Sequence, residues 1–284
     1  MEYKLKTNEI NIRDPFVVPY EGKYYMYGSR SWLGLQQGFD VYVSEDLENW
    51  SGPVSVFDYF EGFWGEKDFW APEVHFYKGK FYLFASFKGN DTCRGTAIFV
   101  GDSPKGPFKE HSKGAVTPTD WECLDGTLYV SPEGKPYMVF CHEWLQAKDG
   151  TVCAVELSDD LSCAVSEPFL MWHASDAPWV AQCRYEGEYV TDGPYMVTLD
   201  DELIAIWSSY NERGYAVSIA RSDDGTIYGR WTPDEKELYD ENGGHGMIFE
   251  TFEGTWKFVC HVPNSSPDER PFFRDITKKE LERK

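Results

Sequence analysis

The chain has 284 residues, of which 42% are hydrophobic and 26% charged, so it can bury a sizeable core and is not a disordered protein. Its longest apolar stretches, such as residues 203–207, have only the length of a β-strand, which excludes a membrane-spanning helix. The formal net charge of −21 argues against nucleic acid as a partner, because phosphate binding requires a basic face, and it favours a neutral small substrate.

The composition favours many short strands over helices. Aromatic residues make up 17% of the chain, and 25 Gly and 16 Pro supply frequent turns. One sequence motif recurs along the chain. It consists of a polar residue followed by a small residue or proline, an apolar strand, a Gly-containing turn, an aromatic strand and a third strand. Apolar and polar residues alternate within each copy, which indicates half-buried antiparallel strands.

Five copies of this motif follow one another along the chain. The first three place their strands at residues 13–18, 22–27 and 41–46, at 70–74, 79–84 and 97–102, and at 124–130, 134–139 and 153–159. The fourth and fifth copies begin at residues 191–194 and 244–246, and each continues with the same hairpin.

The spacing of the copies predicts the architecture. Five residues mark the start of successive copies: Asp14, Pro72, Asp125, Asp192 and His245. Successive markers lie 53 to 67 residues apart, which is the length of a propeller blade. The sequence therefore predicts an all-β fold, a five-bladed β-propeller in a single domain over residues 1–284. The first strand of each blade lines the axis of such a fold, so the four polar markers should share one pocket.

Three of these markers are carboxylates. A buried carboxylate costs desolvation energy unless something binds it, so three around one axis indicate a function. In isolation, Asp14 and Asp125 would more often cap turns beside Pro or Gly, and only their recurrence at blade spacing favours catalysis. Glycoside hydrolysis needs one carboxylic acid to assist the leaving oxygen and one carboxylate to activate water or attack carbon. A third acid can orient the ring and raise its neighbour's pKa.

The ordered set of motifs resembles glycoside hydrolase family 43, five-bladed propellers that include β-xylosidases, α-L-arabinofuranosidases and arabinanases. The motifs are Arg13-Asp14-Pro15, Trp70-Ala71-Pro72-Glu73, Leu124-Asp125-Gly126, Thr191-Asp192-Gly193-Pro194 and Gly243-Gly244-His245-Gly246. The resemblance implies that Asp14 is the general base, Asp125 modulates the pKa of the acid and orients it, and Asp192 is the general acid. It also implies removal of arabinofuranosyl or xylosyl residues from short oligosaccharides.

One position departs from the family pattern, which usually has Glu where this chain has Asp192. Aspartate is one methylene shorter, whereas proton transfer requires heavy atoms within about 3 Å. Glu186 and Glu188 are alternative proton donors nearby in the sequence. The alternative function is a carbohydrate-binding propeller that has lost catalysis. If catalysis is retained, the shorter side chain widens the gap between the two carboxyl groups and predicts inverting hydrolysis, in which they stand about 6.5–9.5 Å apart.

Two tryptophans and one histidine are candidate substrate-binding residues. Trp70 is either an aromatic platform for a sugar or core between blades, and for Trp32 the core alternative is favoured. The resemblance implies an axial water or metal-ion site beside His245. No second His or Cys stands at ligand spacing, so we expect no protein-bound metal and no cofactor, and a structural role for His245 is the alternative.

The cysteines and the first residues bear on location. Seven cysteines occur without a CxxC pair or zinc-type spacing, so we expect reduced and mostly structural thiols. The first residues show neither the apolar segment nor the cleavage site of a secretory signal. Together these features predict a cytoplasmic location.

Overall fold

The computed structural model describes residues 3–30, 37–200 and 202–282. Strands account for 53% of the structure and helices for 5%, and the strands form five antiparallel sheets arranged as a five-bladed β-propeller. The predicted fold class is confirmed, while the extent of the domain stays a prediction.

The first two blades contain ten strands. Blade I consists of β1 (Tyr3–Lys6), β2 (Arg13–Tyr20), β3 (Lys23–Ser29), β4 (Gly38–Ser44), β5 (Asn49–Ser51) and β6 (Val54–Asp58). Its strands lie in the order β1-β5-β4-β3-β2, and β6 also pairs with β4. Blade II consists of β7 (Lys67–Tyr77), β8 (Lys80–Lys88), β9 (Gly95–Gly101) and β10 (Lys109–Glu110), paired in sequence order.

The remaining blades have simple meander order. Blade III consists of β11 (Cys123–Val130), β12 (Pro136–His142), β13 (Thr151–Glu156) and β14 (Phe169–His173). Blade IV consists of β15 (Asp192–Leu199), β16 (Glu202–Asn211), β17 (Gly214–Ser222) and β18 (Trp231–Pro233). Blade V consists of β19 (Gly244–Glu250), β20 (Trp256–Val262) and β21 (Arg270–Ile276). Two short α-helices, α1 (Trp144–Ala147) and α2 (Lys278–Leu281), and two 3₁₀ turns, Thr7–Glu9 and Ala174–Asp176, complete the secondary structure of the described residues.

The hairpins between the first two strands of blades I and II use tight two-residue turns. Glu21 and Gly22 join β2 to β3 with φ of 47° and 74°, and Lys78 and Gly79 join β7 to β8 with φ of 46° and 83°. Positive φ at both turn residues is the type I′ geometry, whose twist matches that of the flanking strands. These turns fix the register of the strands that line the axis.

Aromatic side chains fill the space between neighbouring blades. Between blades I and II, the ring of Phe87 packs edge-on against Phe63 and Phe69, with centroids 4.9 Å away in both cases. Phe57 of β6 packs on Phe99 of β9 at 4.7 Å. All five rings are buried, and each contributes roughly 1.5–3 kcal/mol through removal from water.

The first and last blades are joined by side chains. The Arg13 guanidinium donates to the carboxylate of the fully buried Glu269 over 2.9 Å and to Asn264 over 2.8 Å. The amide of Asn11 donates to the carbonyls of Pro267 and Glu269. The polar network therefore brings the start of β2, and with it Asp14, against blade V.

Each inner strand carries the same irregularity near its start. The five inner strands are β2, β7, β11, β15 and β19, and the pairing of each with the second strand of its blade shifts by a bulge. One residue in each bulge has positive φ, between 46° and 57°: Asp14, Ala71, Asp125, Gly193 and His245. Such conformations cost non-glycine residues of order 1–3 kcal/mol and persist where the surroundings enforce them.

Candidate active site

A cavity lies where the five bulges meet. It has a volume of about 660 Å³, and its lining includes Asp14, Asp125, Asp192, Trp70 and His245. Five of the six side chains predicted from the sequence are therefore together. The sixth, Trp32, lies outside the described residues.

Hydrogen bonds from neighbouring blades hold the bulges. The backbone N–H groups of Ala71, Asp125 and His245 donate to serine hydroxyls, those of Ser29, Ser86 and Ser208, over 2.7 to 2.8 Å. Each serine belongs to the preceding blade and lies on the strand next to its inner strand, β3, β8 or β16. This pattern satisfies amide groups that the bulge removes from the sheet ladder.

Asp14 is held as a carboxylate. Ser29 donates to its Oδ2 over 2.5 Å, and Nδ1 of His245 lies 3.4 Å from its Oδ1. Burial acts to raise the pKa of Asp14, but the charges of His245 and Arg13 and the hydrogen bond from Ser29 outweigh it, so the pKa lies below its usual value. Asp14 is therefore ionised at neutral pH, as a base must be.

Asp192 has the opposite character. Burial, followed by the neighbouring charge of Asp125, raises its pKa to about 7. The hydroxyl of Tyr215 donates to its Oδ2 over 3.0 Å, which limits the rise. A carboxyl group with this pKa holds its proton through a large part of the neutral range and can donate it.

Asp125 lies between these two groups. Its Oδ2 accepts a hydrogen bond from the backbone N–H of Gly193 over 2.9 Å, and Nδ1 of His245 is 3.7 Å away. Burial raises the pKa of Asp125 to about 6 despite the charge of His245. The bond to Gly193 links Asp125 directly to the residue after Asp192, and the charge of Asp125 raises the pKa of Asp192.

His245 balances the negative charge at the axis. Burial alone would lower its pKa, but the charges of Asp14, Asp125 and the buried Glu73 outweigh burial and raise it above the usual value, which favours the cationic form of the ring. Within residues 3–30, 37–200 and 202–282, no group of three or more His, Cys, Asp or Glu side chains is placed to hold a metal ion. The expectation of no protein-bound metal and no cofactor stays a prediction.

Trp70 is a wall of the cavity. Its side chain is 39% exposed and lines the cavity, and the Arg94 guanidinium lies 4.3 Å from its ring centroid. An exposed ring clamped on one side by a cation has the geometry of a platform more than of core between blades.

The structure corrects the blade phase used for two markers. In blade II the residue equivalent to Asp14, Asp125 and His245 is Ala71, one residue before the predicted marker Pro72. In blade IV it is Gly193, one residue after the predicted marker Asp192. Asp192 occupies the position of Trp70 in blade II, paired with Ser208 as Trp70 is with Ser86. It nevertheless lines the cavity, because adjacent residues of a bulge both point towards the axis side.

Glycine is required at the blade IV position. A Cβ on Gly193 would lie 2.8 Å from two ring atoms of His245, and the φ of 50° disfavours side chains. The close approach lets Gly193 donate to Asp125 while His245 packs on it.

Four residues near the site were not predicted from the sequence. His261 accepts from the backbone N–H of Asp14 over 3.2 Å, and burial lowers its pKa to about 4, so the ring is neutral. Its ring stacks on that of Tyr215 at 5.7 Å. Arg94 and Glu143 form a buried ion pair, and Glu143 lines the cavity. One signal was His261, which stands on β20 at the position that serine holds in three other blades. The other was charge at strand ends, since Arg94 precedes β9 and Glu143 follows β12.

The alternative proton donors lie elsewhere. Glu186 and Glu188 are absent from the cavity lining, and Glu188 accepts a hydrogen bond from the backbone N–H of Tyr185. Among the described carboxylates that line the cavity, Asp192 and Glu143 have pKa values raised into the range of an acid catalyst, about 7 and about 6, and Asp125 is raised as well.

The sequence matches a known family over nearly its full length. The model of glycosyl hydrolases family 43 matches residues 8–282. The chain belongs to this family. It is therefore a glycoside hydrolase that acts on O-glycosyl bonds of a carbohydrate substrate.

Several family 43 relatives are similar to this enzyme. A crystal structure of an endo-arabinase from Bacteroides thetaiotaomicron VPI-5482 is 38% identical, superposes with a TM-score of 0.91 and covers 98% of both chains. The extracellular exo-α-(1→5)-L-arabinofuranosidase ArbA of Cellvibrio japonicus (strain Ueda107) is 24% identical over 90% of this chain and 75% of its own length. Xylosidase/arabinosidase 43A of Humicola insolens is 28% identical over 49% of this chain and 46% of its own.

The predicted cytoplasmic location is wrong. The matching Cellvibrio japonicus enzyme is extracellular, which points away from the cytoplasm. All seven cysteines, each within the described residues, are free thiols, and four of them are buried. Free thiols do not indicate the compartment here, because a chain of 284 residues buries enough core to be stable without disulfides. No helix in the described part of the chain is long and apolar enough to cross a membrane.

Proposed function

We propose that this family 43 enzyme hydrolyses arabinofuranosyl or xylosyl linkages of short oligosaccharides with inversion of configuration. Arabinofuranosyl substrates are the first expectation, because the Bacteroides thetaiotaomicron relative is an endo-arabinase and the Cellvibrio japonicus relative an arabinofuranosidase. The observation that carries the proposal is a low-pKa carboxylate and a high-pKa carboxylic acid in one cavity.

Asp14 is the general base. Its carboxylate is kept ionised by His245 and Arg13, and one oxygen is fixed by the Ser29 hydroxyl. The carboxylate can take a proton from a water molecule as the water attacks the anomeric carbon. His261 holds the backbone of Asp14 and so sets the position from which the carboxylate acts.

Asp192 is the general acid. It carries its proton when the substrate binds and transfers it to the glycosidic oxygen as the bond to the anomeric carbon breaks. Asp125 keeps the pKa of Asp192 high, since its negative charge disfavours a second one nearby. After the reaction the proton taken up by Asp14 returns to Asp192 through solvent, which restores both groups.

Trp70 and His245 bind the substrate. The exposed ring of Trp70 offers an apolar face to the C–H side of a sugar, and Nδ1 of His245 lies within 4 Å of carboxylate oxygens of both Asp14 and Asp125. Trp32 is retained as a candidate contact on the sequence argument alone.

Turnover of aryl glycosides tests the proposal. We expect release of 4-nitrophenol from 4-nitrophenyl α-L-arabinofuranoside or β-D-xyloside. Sugar binding measured by calorimetry without turnover of any glycoside would instead favour a carbohydrate-binding propeller that has lost catalysis.

A further inference from the structure

A layer of charged side chains, Arg94, Glu122 and Glu143, lies beside the cavity, and Glu143 of this layer lines it. The backbone N–H of Glu143 donates to the carbonyl of Glu122 over 2.7 Å, and that of Cys123 donates to the carbonyl of Arg94 over 2.9 Å. Glu122 stands immediately before β11 and three residues before Asp125. Glu143, the member of this layer that lines the cavity, does so beside Trp144.

Arg94 organises this layer. Its Nη1 donates to Oε2 of Glu143 and its Nη2 to Oδ2 of Asp68 over 2.8 Å, while the guanidinium lies over the ring of Trp70. Arg94 and Glu143 are only 6% and 5% exposed. A buried ion pair generally contributes little net stability, because desolvation of both charges offsets their attraction. Fold stability is therefore a poor explanation for this cluster.

One carboxylate oxygen of Glu143 is available to bind a ligand. Its Oε2 is bound to Arg94, whereas Oε1 has no hydrogen-bond partner within the described ranges and is not sealed off from the cavity. A carboxylate oxygen accepts hydrogen bonds from hydroxyl groups strongly, since the bond is charge-assisted. The same Arg94 guanidinium lies over the ring of Trp70, which lines the cavity as well.

We propose that Glu143, fixed by Arg94 beside Trp70, binds the hydroxyl groups of the sugar unit on the leaving-group side of the scissile bond. This rests on the proposed function, because the attacked sugar must lie among Asp14, Asp125 and Asp192. Glu143 and Asp192 line the same cavity, close enough that, besides burial, the charge of Asp192 raises the pKa of Glu143. The sugar unit that leaves from the Asp192 side then lies within reach of Oε1 of Glu143, which accepts its hydroxyl hydrogens. The ligand class is an oligosaccharide with a second sugar; an aryl or methyl group makes no such contact.

Glu143→Gln tests this assignment because it keeps the shape and removes the charge. With α-(1→5)-linked arabinobiose we expect KM to rise by about ten- to a hundredfold, the usual loss for a hydrogen bond to a charged group, with kcat within about threefold. With methyl α-L-arabinofuranoside, which has no second sugar, kcat/KM should change by less than about threefold. Glu167→Gln is the matched control, because it removes the same charge from an exposed side chain that does not line the cavity, and it should leave turnover of both substrates unaffected.

Two results would overturn the proposal. A fall in kcat for methyl arabinofuranoside, a poor leaving group, would make Glu143 a proton donor. An unchanged KM for arabinobiose would remove Glu143 from substrate binding. If Glu143→Gln does not fold, Glu143→Asp withdraws the oxygen while keeping the charge, and it should raise KM for arabinobiose alone.

Failure of the proposed function gives a different result. The unaltered enzyme would then turn over no glycoside. Calorimetry with arabinobiose and with arabinose would still test Glu143, because only the disaccharide should lose affinity in Glu143→Gln.

Discussion

Replacing the proposed acid should stabilise the protein, by an amount that depends on pH. The pKa of Asp192 lies at about 7 in the native state, against 3.8 for an unperturbed Asp. Each pKa unit corresponds to about 1.4 kcal/mol, so ionisation of Asp192 destabilises the native state by at most about 4 kcal/mol. Asparagine cannot ionise, and its amide oxygen can still accept the hydrogen bond from Tyr215.

The sign follows from proton linkage. The native state holds the Asp192 proton more tightly than the unfolded chain does, so native stability is highest below pH 3.8 and falls as pH rises towards 7. Asp192→Asn should therefore raise the free energy of unfolding by up to about 4 kcal/mol at pH 8 and by about 2 kcal/mol at pH 5.5. Part of this effect is shared with Asp125, whose pKa is raised as well, so these values are upper bounds.

Urea unfolding followed by tryptophan fluorescence at the two pH values measures the difference. Asp91→Asn is the control, because Asp91 is exposed and the substitution removes the same charge from a chain of net charge −21. The control should change the free energy of unfolding by less than about 0.5 kcal/mol. Destabilisation by Asp192→Asn at pH 8, or a gain equal at both pH values, would refute the reasoning.

Three further predictions concern single side chains. Asp14→Asn should lower kcat by about 10²- to 10⁴-fold, the usual loss for a general base, and near-full activity in a steady-state assay would exclude Asp14 from this role. Asp192→Asn should retain more activity on dinitrophenyl arabinofuranoside than on arabinobiose, because a good leaving group needs little protonation; equal losses would place the acid elsewhere, with Glu143 as the next candidate. Gly193→Ala should lower the free energy of unfolding by at least about 1–3 kcal/mol, since its Cβ would lie 2.8 Å from the His245 ring at a φ of 50°, and unchanged stability in thermal unfolding would contradict this.

Most of the fold prediction came from the motif that recurs five times along the chain. Strands, hairpin turns and blade number follow from local alternation and from Gly at the turns, which depend on neighbouring residues. The exact alignment of equivalent residues between blades could not be predicted. A bulge inserts an extra residue into the inner strand, and the alternation of apolar and polar residues does not reveal it. Pro72 and Asp192 consequently stood one residue away from the true equivalents, Ala71 and Gly193.

The parts of the site outside the repeat could not be predicted in the same way. Asp14, Asp125 and His245 recur at blade spacing, and the structure brings them into one cavity. Glu143 follows the end of a second strand, where no repeated motif marks it, and its approach to Arg94 depends on the packing of blade III against blade II. The predicted location failed for another reason: unpaired cysteines reflect a core large enough to need no disulfide.

The anomeric configuration of the first product tests the central claim most directly. If Asp14 activates water while Asp192 protonates the leaving oxygen, a single displacement inverts the anomeric carbon. Proton NMR of the anomeric region during the first minutes with an α-L-arabinofuranoside, before mutarotation, should therefore show the β-anomer appearing first. Initial appearance of the α-anomer would mean that a carboxylate attacks the sugar itself, and it would contradict the roles given to Asp14 and Asp192.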